Sequence, residues 1–565
     1  MSSPTANSNT VARMVVPGAS GYLLVVLAYV FKYVPFVPWI IARSGGLFEL
    51  RDIPQSLLDL DVTTLGLPLD GYKRQHNDAG EALTAQHLAE AAEEKTPLAS
   101  ALAYHRAYLS GGLTPIEVCK SLLSKLVGTV DPSVSHRDHR KYFRSIIPHD
   151  ALEQATESTA RYAANSPLSP LDGVMVVLKN EVDVKGHVTR AGTEFVNDGK
   201  PALEDGQVAA QLKAMGAVVL GVTDMTEVGW GVQHHVFDNP FRKGHSCGGS
   251  SAGSAACVAA GYVPLAIGVD GGGSVRIPSA FCGLYGLKPT HTRVSSKGEF
   301  CSAPTVAVTG PMGANVDDMC LGYLAIADKE KAFPVHVPKS LYFKPSVAGL
   351  RIGVIREFNA QVKNPAISAA LSRVEMELIQ GGATIVPLAF PYLDFVRNAH
   401  AITISSELYS TVRSRKNNHK MMYQTVLLFS TLSQLSVTDY IHAQKMRTHA
   451  IRVLEQYFSG PEKVDFLLSP TAATTAPSLP ANTTFGVSDN TLASDVIRYS
   501  FLANLAGNPA VTCPVGFDAQ DLPVAVQFMG EWWSEGRLMP LAKWMENSFK
   551  AEGKRRAPLW DGLEF

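Results

Sequence analysis

From position 82 to 164 the apolar residues recur at helical spacing. ALTAQHLAEAAEE, LASALAYHRAYL and LTPIEVCKSLLSKL each return an apolar face every three to four residues. The last carries a start signal: Thr114 can cap, Pro115 suits the first helical position, and Glu117 stands where a capping box wants its carboxylate. Another helix is expected over 149–164. The pattern changes at Gly173, where VMVVLK is a continuous apolar run ending in a lysine. Such runs suit a strand buried on both faces. GQVAAQLKAMGAVVLGVTD then reads as helix, glycine stop and second buried strand. LRIGVI (350–355), ATIVPL (383–388), DFLLSP (465–470), AVTCPV (510–515) and VAVQFM (524–529) are further strands, with helices over 367–381, 437–458 and 535–549. Strands alternating with helices predict an α/β fold with a mixed, largely parallel central sheet covered by helices. No repeat or low-complexity linker divides the sequence. One large domain over 95–555 behind an N-terminal extension is the simplest partition.

The start of the chain differs in kind. Residues 1–20 read as a disordered leader. GYLLVVLAYVFKYVPFVPWII follows over 21–41, interrupted by Lys32, Pro35 and Pro38. About 20 mostly apolar residues can cross a bilayer. Tyr33, Phe36 and Trp39 cluster near one end, as an interfacial belt would place them. Lys32 and two prolines are costly at mid-membrane, so a monotopic helix lying in the interface competes with a single pass. No A-x-A-like site follows, which disfavours a cleaved signal peptide. A helix packed on the protein's own body is the remaining alternative. Membrane association through 21–42 is the expectation, with 43–94 as linker and helical extension.

Composition removes several function classes. Fifty Lys+Arg against 51 Asp+Glu leave no basic excess for nucleic acid. The cysteines at 119, 247, 257, 282, 301, 320 and 513 are odd in number, scattered and without a CxxC pair. A zinc ribbon, a thioredoxin motif and a disulfide scaffold all lose support, and a reducing, intracellular compartment is expected. His234 and His235 lack an HExxH motif or a carboxylate cluster, so no metal site is expected there.

Glycine and serine concentrate in SCGGSSAGSAACVAAG (246–261) and GVDGGGSVRIPSAFCGLYGLKPT (268–290). Consecutive glycines let backbone N–H groups converge on one point. Neither block is a P-loop or a dinucleotide fingerprint. GSSAG formally offers Ser251 as a GxSxG nucleophile, but the polar NPFRKGHSCG before it is no buried strand. One of Ser250 and Ser251 is expected to cap the following helix.

The lysine of VVLKNE, GGSSAGS and DGGGSVRIPSAFCGLYGLKPT together resemble the amidase signature family of serine amidohydrolases. The likeness runs from about 95 to 550 and includes DFLLSPTAATTAP and FLANLAGNPAVTCPVGF. It implies an amidase-signature domain without metal or cofactor. It also implies a Ser-cisSer-Lys triad: Ser274 as nucleophile, Ser250 as bridging cis-serine and Lys179 as base. Backbone N–H groups of Gly271, Gly272, Gly273 and Ser274 are the implied oxyanion hole, with Asp270 and Arg276 as scaffold of the loop. The chemistry is sound on its own terms. A serine hydroxyl is inert until a base takes its proton, and lysine is a base only when neutral, a form that desolvation favours. Two departures stand out: GVDGGG where the family often has a non-glycine residue, and Asp224 where it often has asparagine.

The expected reaction is hydrolysis of a small or lipophilic carboxamide to an acid and ammonia or amine, through an acyl-enzyme on Ser274. The apolar leader resembles the arrangement in fatty-acid amide hydrolases. A glutaminase-type subunit of a tRNA-dependent amidotransferase and an inactive membrane-tethered binding protein are the alternatives. Expected partners are the amide and a membrane, with no nucleic acid; a homodimer stays open. Segments 225–233 and 401–436 are expected to line the pocket.

Overall fold

The computed structural model describes residues 18–34, 36–44, 46–62, 81–91, 100–127, 142–232, 234–300, 302–328 and 336–549. Eleven strands form one mixed sheet. Their order is Phe143–Ser145, Val218–Thr223, Met175–Lys179, Leu265–Asp270, Val308–Gly313, Tyr285–Lys288, Ala510–Phe517, Pro523–Gly530, Phe466–Pro470, Arg351–Val354 and Thr384–Pro387. Every residue of Met175–Lys179, Val218–Thr223 and Leu265–Asp270 is buried, which is why these strands read as unbroken apolar runs. Met175–Lys179 runs parallel to both of its neighbours. Arg351–Val354 does the same on the far flank. The strands between these flanks pair antiparallel. That centre was not readable from hydropathy, because a doubly buried run looks alike in either direction. The short connection 518–522 between Ala510–Phe517 and Pro523–Gly530 was the available clue, since only antiparallel neighbours can be joined so tightly.

Most expected helices are present, including Ala85–Ala91, Ala101–Leu109, Pro115–Val127 and Pro148–Ala163. The capping box forms: the Thr114 N–H donates to Glu117 Oε2 at 2.9 Å, and the Glu117 N–H returns to Thr114 Oγ1 at 3.4 Å. Two helices had not been anticipated as such, Leu393–Arg413 and Tyr423–Leu432. The first buries His400, Thr403 and Ser405 along with Val396, Ala399, Ile402, Leu408 and Val412. Polar residues facing inward erase the apolar stripe by which a helix is recognised.

The extension is docked onto the catalytic body. Ala19–Ser20 pair antiparallel with Val487–Ser488, so the end of the expected disordered leader is a strand; 1–17 lie outside the described residues. The apolar segment forms two helices, Gly21–Tyr33 and Phe36–Ser44, bent by 107°. No single helix among the described residues is long and apolar enough to cross a membrane. Leu24, Ala28 and Phe31 are buried in a cluster with Leu427 of the Tyr423–Leu432 helix. Tyr22, Leu23, Val26, Tyr29 and Tyr33, on the other side, are more than half exposed.

Residues 46–62 lie along the Val437–Ser459 helix and are not a free linker. His442 donates to the Leu50 carbonyl at 2.8 Å, Thr448 donates to the Asp61 carbonyl at 2.7 Å, and Lys445 donates to the Leu58 carbonyl. Arg51 makes a two-pronged bond to the fully buried Asp439, at 2.6 and 2.7 Å. Arg51→Ala strands that carboxylate with only the donors of its own capping box, Ser436 N and Oγ. Urea denaturation should show a loss of about 1–3 kcal/mol, the usual penalty for a buried acceptor deprived of a charged partner. An unchanged midpoint would remove this contact from the account of how the extension is held.

Candidate active site

Met175–Lys179 and Leu265–Asp270 are adjacent parallel strands, so their carboxyl ends lie side by side. Open α/β sheets place ligands at such ends. Lys179 closes one strand, and the glycine loop bearing Ser274 follows the other. Lys179 is 1% exposed; its Nζ donates to Ser250 Oγ at 2.7 Å and to the Val269 carbonyl at 3.2 Å. Glu181 Oε2 stands 2.5 Å from the same nitrogen. The Gly249–Ser250 peptide is cis. The Ser251 N–H donates to the Ser274 carbonyl at 3.3 Å, which sets the two serine-bearing turns against each other. Ser274 is half-buried, and its hydroxyl has no hydrogen-bond partner among the described residues, Ser250 included.

The glycine loop is folded around a carboxylate. Asp270 accepts from the N–H groups of Gly273 (2.7 Å), Val275 (3.2 Å) and Arg276 (3.3 Å). The Arg276 guanidinium reaches both Asp270 oxygens, at 3.0 and 3.1 Å, and both side chains are fully buried. Arg276 continues to Gln527 Oε1 (2.9 Å), the Ser500 carbonyl (3.0 Å) and Asn504 Oδ1 (2.6 Å). Burial alone would raise the Asp270 pKa; Arg276 holds it far below the usual carboxylate range. Gly273 sits at φ +110, and a Cβ there would meet Ile277 and Ser500 at 2.6 Å, so only glycine fits.

This arrangement amends two expectations. The Gly273 N–H points into Asp270 and is not offered to a substrate, whereas the N–H groups of Gly271, Gly272 and Ser274 have no acceptor among the described residues. Ser251 stands at the N-cap of the Ala252–Ala259 helix, yet its side chain makes no capping bond. It is fully buried against Gly268, where a Cβ would meet its Oγ at 2.7 Å, and it reaches only the Val269 carbonyl at 3.5 Å. Such burial leaves no approach for a substrate carbonyl.

The surrounding candidates are packing and support. His234 pairs with Asp224 at 3.2 Å and stacks on Phe237. Among the described residues no group of three or more His, Cys, Asp or Glu could hold a metal. The six described cysteines are free and buried; Cys301 lies outside the described residues. A pocket that none of the triad residues lines has a wall of Trp230, Val232, Ala401, Leu427, Leu428 and Leu432 together with the polar Ser405, Gln424, Thr431, Asp489 and Asn490. Segments 225–233 and 401–436 both contribute to it; Gln233 lies outside the described residues. The pocket adjoins the cis-serine turn, since a Cβ on Gly249 would lie 2.9 Å from the carbonyl of Gly231, another lining residue.

Residues 135–539 match the family model described as Amidase. The chain belongs to the amidase signature family. It is 33% identical over 463 residues to a fatty acid amide hydrolase of Arabidopsis thaliana, covering 78% of this chain and 75% of that protein. It is also 33% identical to a glutamyl-tRNA(Gln) amidotransferase subunit of Thermus thermophilus, over 80% of this chain and 98% of that protein. A solved peptide amidase in complex with chymostatin shares the fold, with a TM-score of 0.68 at 24% identity, covering 81% of this chain and 99% of its own. This protein is an amide-hydrolysing enzyme.

Several residues of this amidase site escaped the sequence reading. Glu181 lies in the turn just past the Met175–Lys179 strand, so strand alternation gave no signal of its approach to Nζ. Asn504 and Gln527 come from distant segments and carried none. Glu227 is 3% exposed and accepts the Met422 N–H at 2.9 Å, tying the 226–229 turn to the start of the Tyr423–Leu432 helix that walls the pocket. Burial pushes its pKa up from 4.5 to about 7. The folded state therefore keeps a proton that the unfolded chain has lost. Its stabilising contribution is complete below pH 4.5 and disappears as the pH rises through about 7. Glu227→Gln mimics the protonated form, so it should match wild type at pH 5 and exceed it at pH 8 by roughly 1–3 kcal/mol. Thermal melts of both proteins at the two pH values check this; a difference independent of pH rejects it.

Proposed function

We propose that this amidase cleaves a lipophilic carboxamide through an acyl-enzyme on Ser274. Lys179 Nζ takes the Ser250 proton while Ser250 takes the Ser274 proton, and Ser274 Oγ attacks the carbonyl carbon. Charge building on the carbonyl oxygen meets the N–H groups of Gly271, Gly272 and Ser274. When the intermediate collapses, the C–N bond breaks and the relay returns the proton to the departing nitrogen. Water then attacks the acyl-enzyme by the same relay and releases the acid and the serine. The observation that carries this reading is the 2.7 Å bond from buried Lys179 to Ser250, on a turn set against that of Ser274, whose hydroxyl has no partner among the described residues.

The pocket supports a lipophilic acyl chain. Trp230, Val232, Leu427, Leu428 and Leu432 give one side of the pocket an apolar wall suited to hydrocarbon, with Gln424, Asp489 and Asn490 as the polar remainder. The relative named a fatty acid amide hydrolase supports the same choice. The outer face of the Gly21–Tyr33 helix is assigned to a lipid surface, lying in the interface with Lys32 reaching toward headgroups. Its inner face covers the helix that walls the pocket.

Ser274→Ala removes the only atom bonded to substrate, so fluorophosphonate labelling and turnover should vanish together. Lys179→Ala should lower turnover by about 10²–10⁴, the usual worth of a general base. Ser250→Ala should be severe but less complete, because water can stand in for one hydroxyl. Persistent labelling of the Ser274→Ala protein, located by peptide mapping, overturns the assignment. Asp at positions 23, 26 and 29 in place of Leu23, Val26 and Tyr29 should release the protein from floated phospholipid vesicles while hydrolysis of a short soluble amide stays within about twofold, since singly exposed side chains are energetically tolerant. Substitution is the cleaner test, because deleting the helix would bare the apolar face packed beneath it. Unchanged flotation rejects the lipid contact.

A further inference from the structure

We infer that His400 is a positioning residue of the oxyanion site, acting through the Gly271–Gly272 peptide; the inference rests on the catalytic roles proposed above. His400 lies on the Leu393–Arg413 helix, 3% exposed, with Nε2 2.8 Å from the Gly271 carbonyl oxygen. A carbonyl only accepts, so Nε2 carries the hydrogen. Burial pushes the imidazole down to about 4; Arg447 and Arg276 act in the same sense, while Asp270 and the bond to Gly271 oppose it. The ring is therefore neutral at working pH, with its one proton committed to this contact.

The geometry of a peptide does the rest. In a trans peptide the C=O of one residue and the N–H of the next lie in one plane and point in opposite directions. Anchoring the Gly271 oxygen on His400 aims the Gly272 N–H away from the helix, and that N–H has no acceptor among the described residues. The helix lies directly on the loop. A Cβ on Gly272 would stand 3.0 Å from His400 Cε1, and one on Gly271 would stand 3.2 Å from Ile404 Cδ1. Ala401 and Ser405, the next residues on the helix after His400 and Ile404, line the pocket. One helix thus carries part of the pocket wall and the anchor of the oxyanion loop. Losing the anchor should disturb the transition state while leaving ground-state binding in place.

Gln and Met are similar in length and differ in the donor, so His400→Gln and His400→Met form the test pair. Decanoyl p-nitroanilide serves as substrate, decyl trifluoromethyl ketone as tetrahedral mimic and decanoic acid as ground-state ligand. His400→Met should lower kcat by about 10–100-fold, somewhat less than loss of a whole oxyanion donor, and weaken the ketone by a matching factor. KM and inhibition by decanoic acid should stay within about threefold, as expected when only transition-state contacts are lost. His400→Gln should recover most of that loss. Equal losses in the two variants, or a loss confined to KM, overturn the inference. Should neither variant fold, the wild-type ketone adduct decides: its oxygen is expected within hydrogen-bond reach of Gly272 N, and an oxygen out of reach overturns the role. Ketone adduct formation by Ser274→Ala would instead sink the catalytic reading, which makes the two failures distinguishable.

Discussion

Asp270 and Arg276 are a fully buried carboxylate and guanidinium on either side of the loop that carries Ser274, and the shape of the site hangs on their pairing. Two charges taken out of water recover their desolvation penalty only when geometry and hydrogen bonding are nearly complete. Here they are. Asp270 takes three backbone N–H groups and Arg276, while Asn504 donates to both its carbonyl and its side chain. Arg276 spends its remaining donors on Ser500, Asn504 and Gln527. The pair ties the glycine loop to the 500–504 segment and to the Pro523–Gly530 strand, so that residues more than two hundred positions apart define one turn. With its interior filled by a carboxylate, the loop has settled which amides face inward and which remain free.

The same logic governs the lysine. A strand buried on both faces ends at Lys179, where the side chain has only protein atoms for company. Three partners surround Nζ: a hydroxyl, a carbonyl and the Glu181 carboxylate. A second carboxylate, Glu299, lies within electrostatic reach of both; burial pushes its pKa up to about 7, and the Thr309 hydroxyl donates to it. Charge near Lys179 is thus supplied by acids that lie in the interior, next to one of the two serines the family resemblance singled out. Of these groups it is Glu299 that burial pushes toward its neutral form, an acid tuned toward neutral pH beside the lysine.

What the sequence made legible was whatever leaves a local signature. Doubly buried strands appear as apolar runs, the box at Thr114 as two residues at fixed spacing, and the serine turns as a concentration of glycine that has no other use. The parts that stayed hidden depend on distant segments meeting. His400 sits in a helix whose inward face is partly polar, so no periodicity announced it. Glu227 bonds across 195 positions and Arg276 to Gln527 across 251. The Gly273 amide illustrates the limit best. The family resemblance implied that it is an oxyanion donor, and only the position of the Asp270 carboxylate shows that it faces the other way.

The Gly21–Tyr33 helix of the extension carries two apolar stripes. Leu24, Ala28 and Phe31 recur at helical spacing and are buried in the body; Tyr22, Val26, Tyr29 and Tyr33 recur at the same spacing and face outward. Beneath the inner stripe lies the Tyr423–Leu432 helix, whose Leu427 packs against the extension and also lines the pocket. The outer apolar surface and the pocket are therefore separated by two helices, and Leu427 belongs to both contacts. The extension also reaches the pocket directly, because Leu47 is one of its lining residues, so the extension and the Tyr423–Leu432 helix build that wall together.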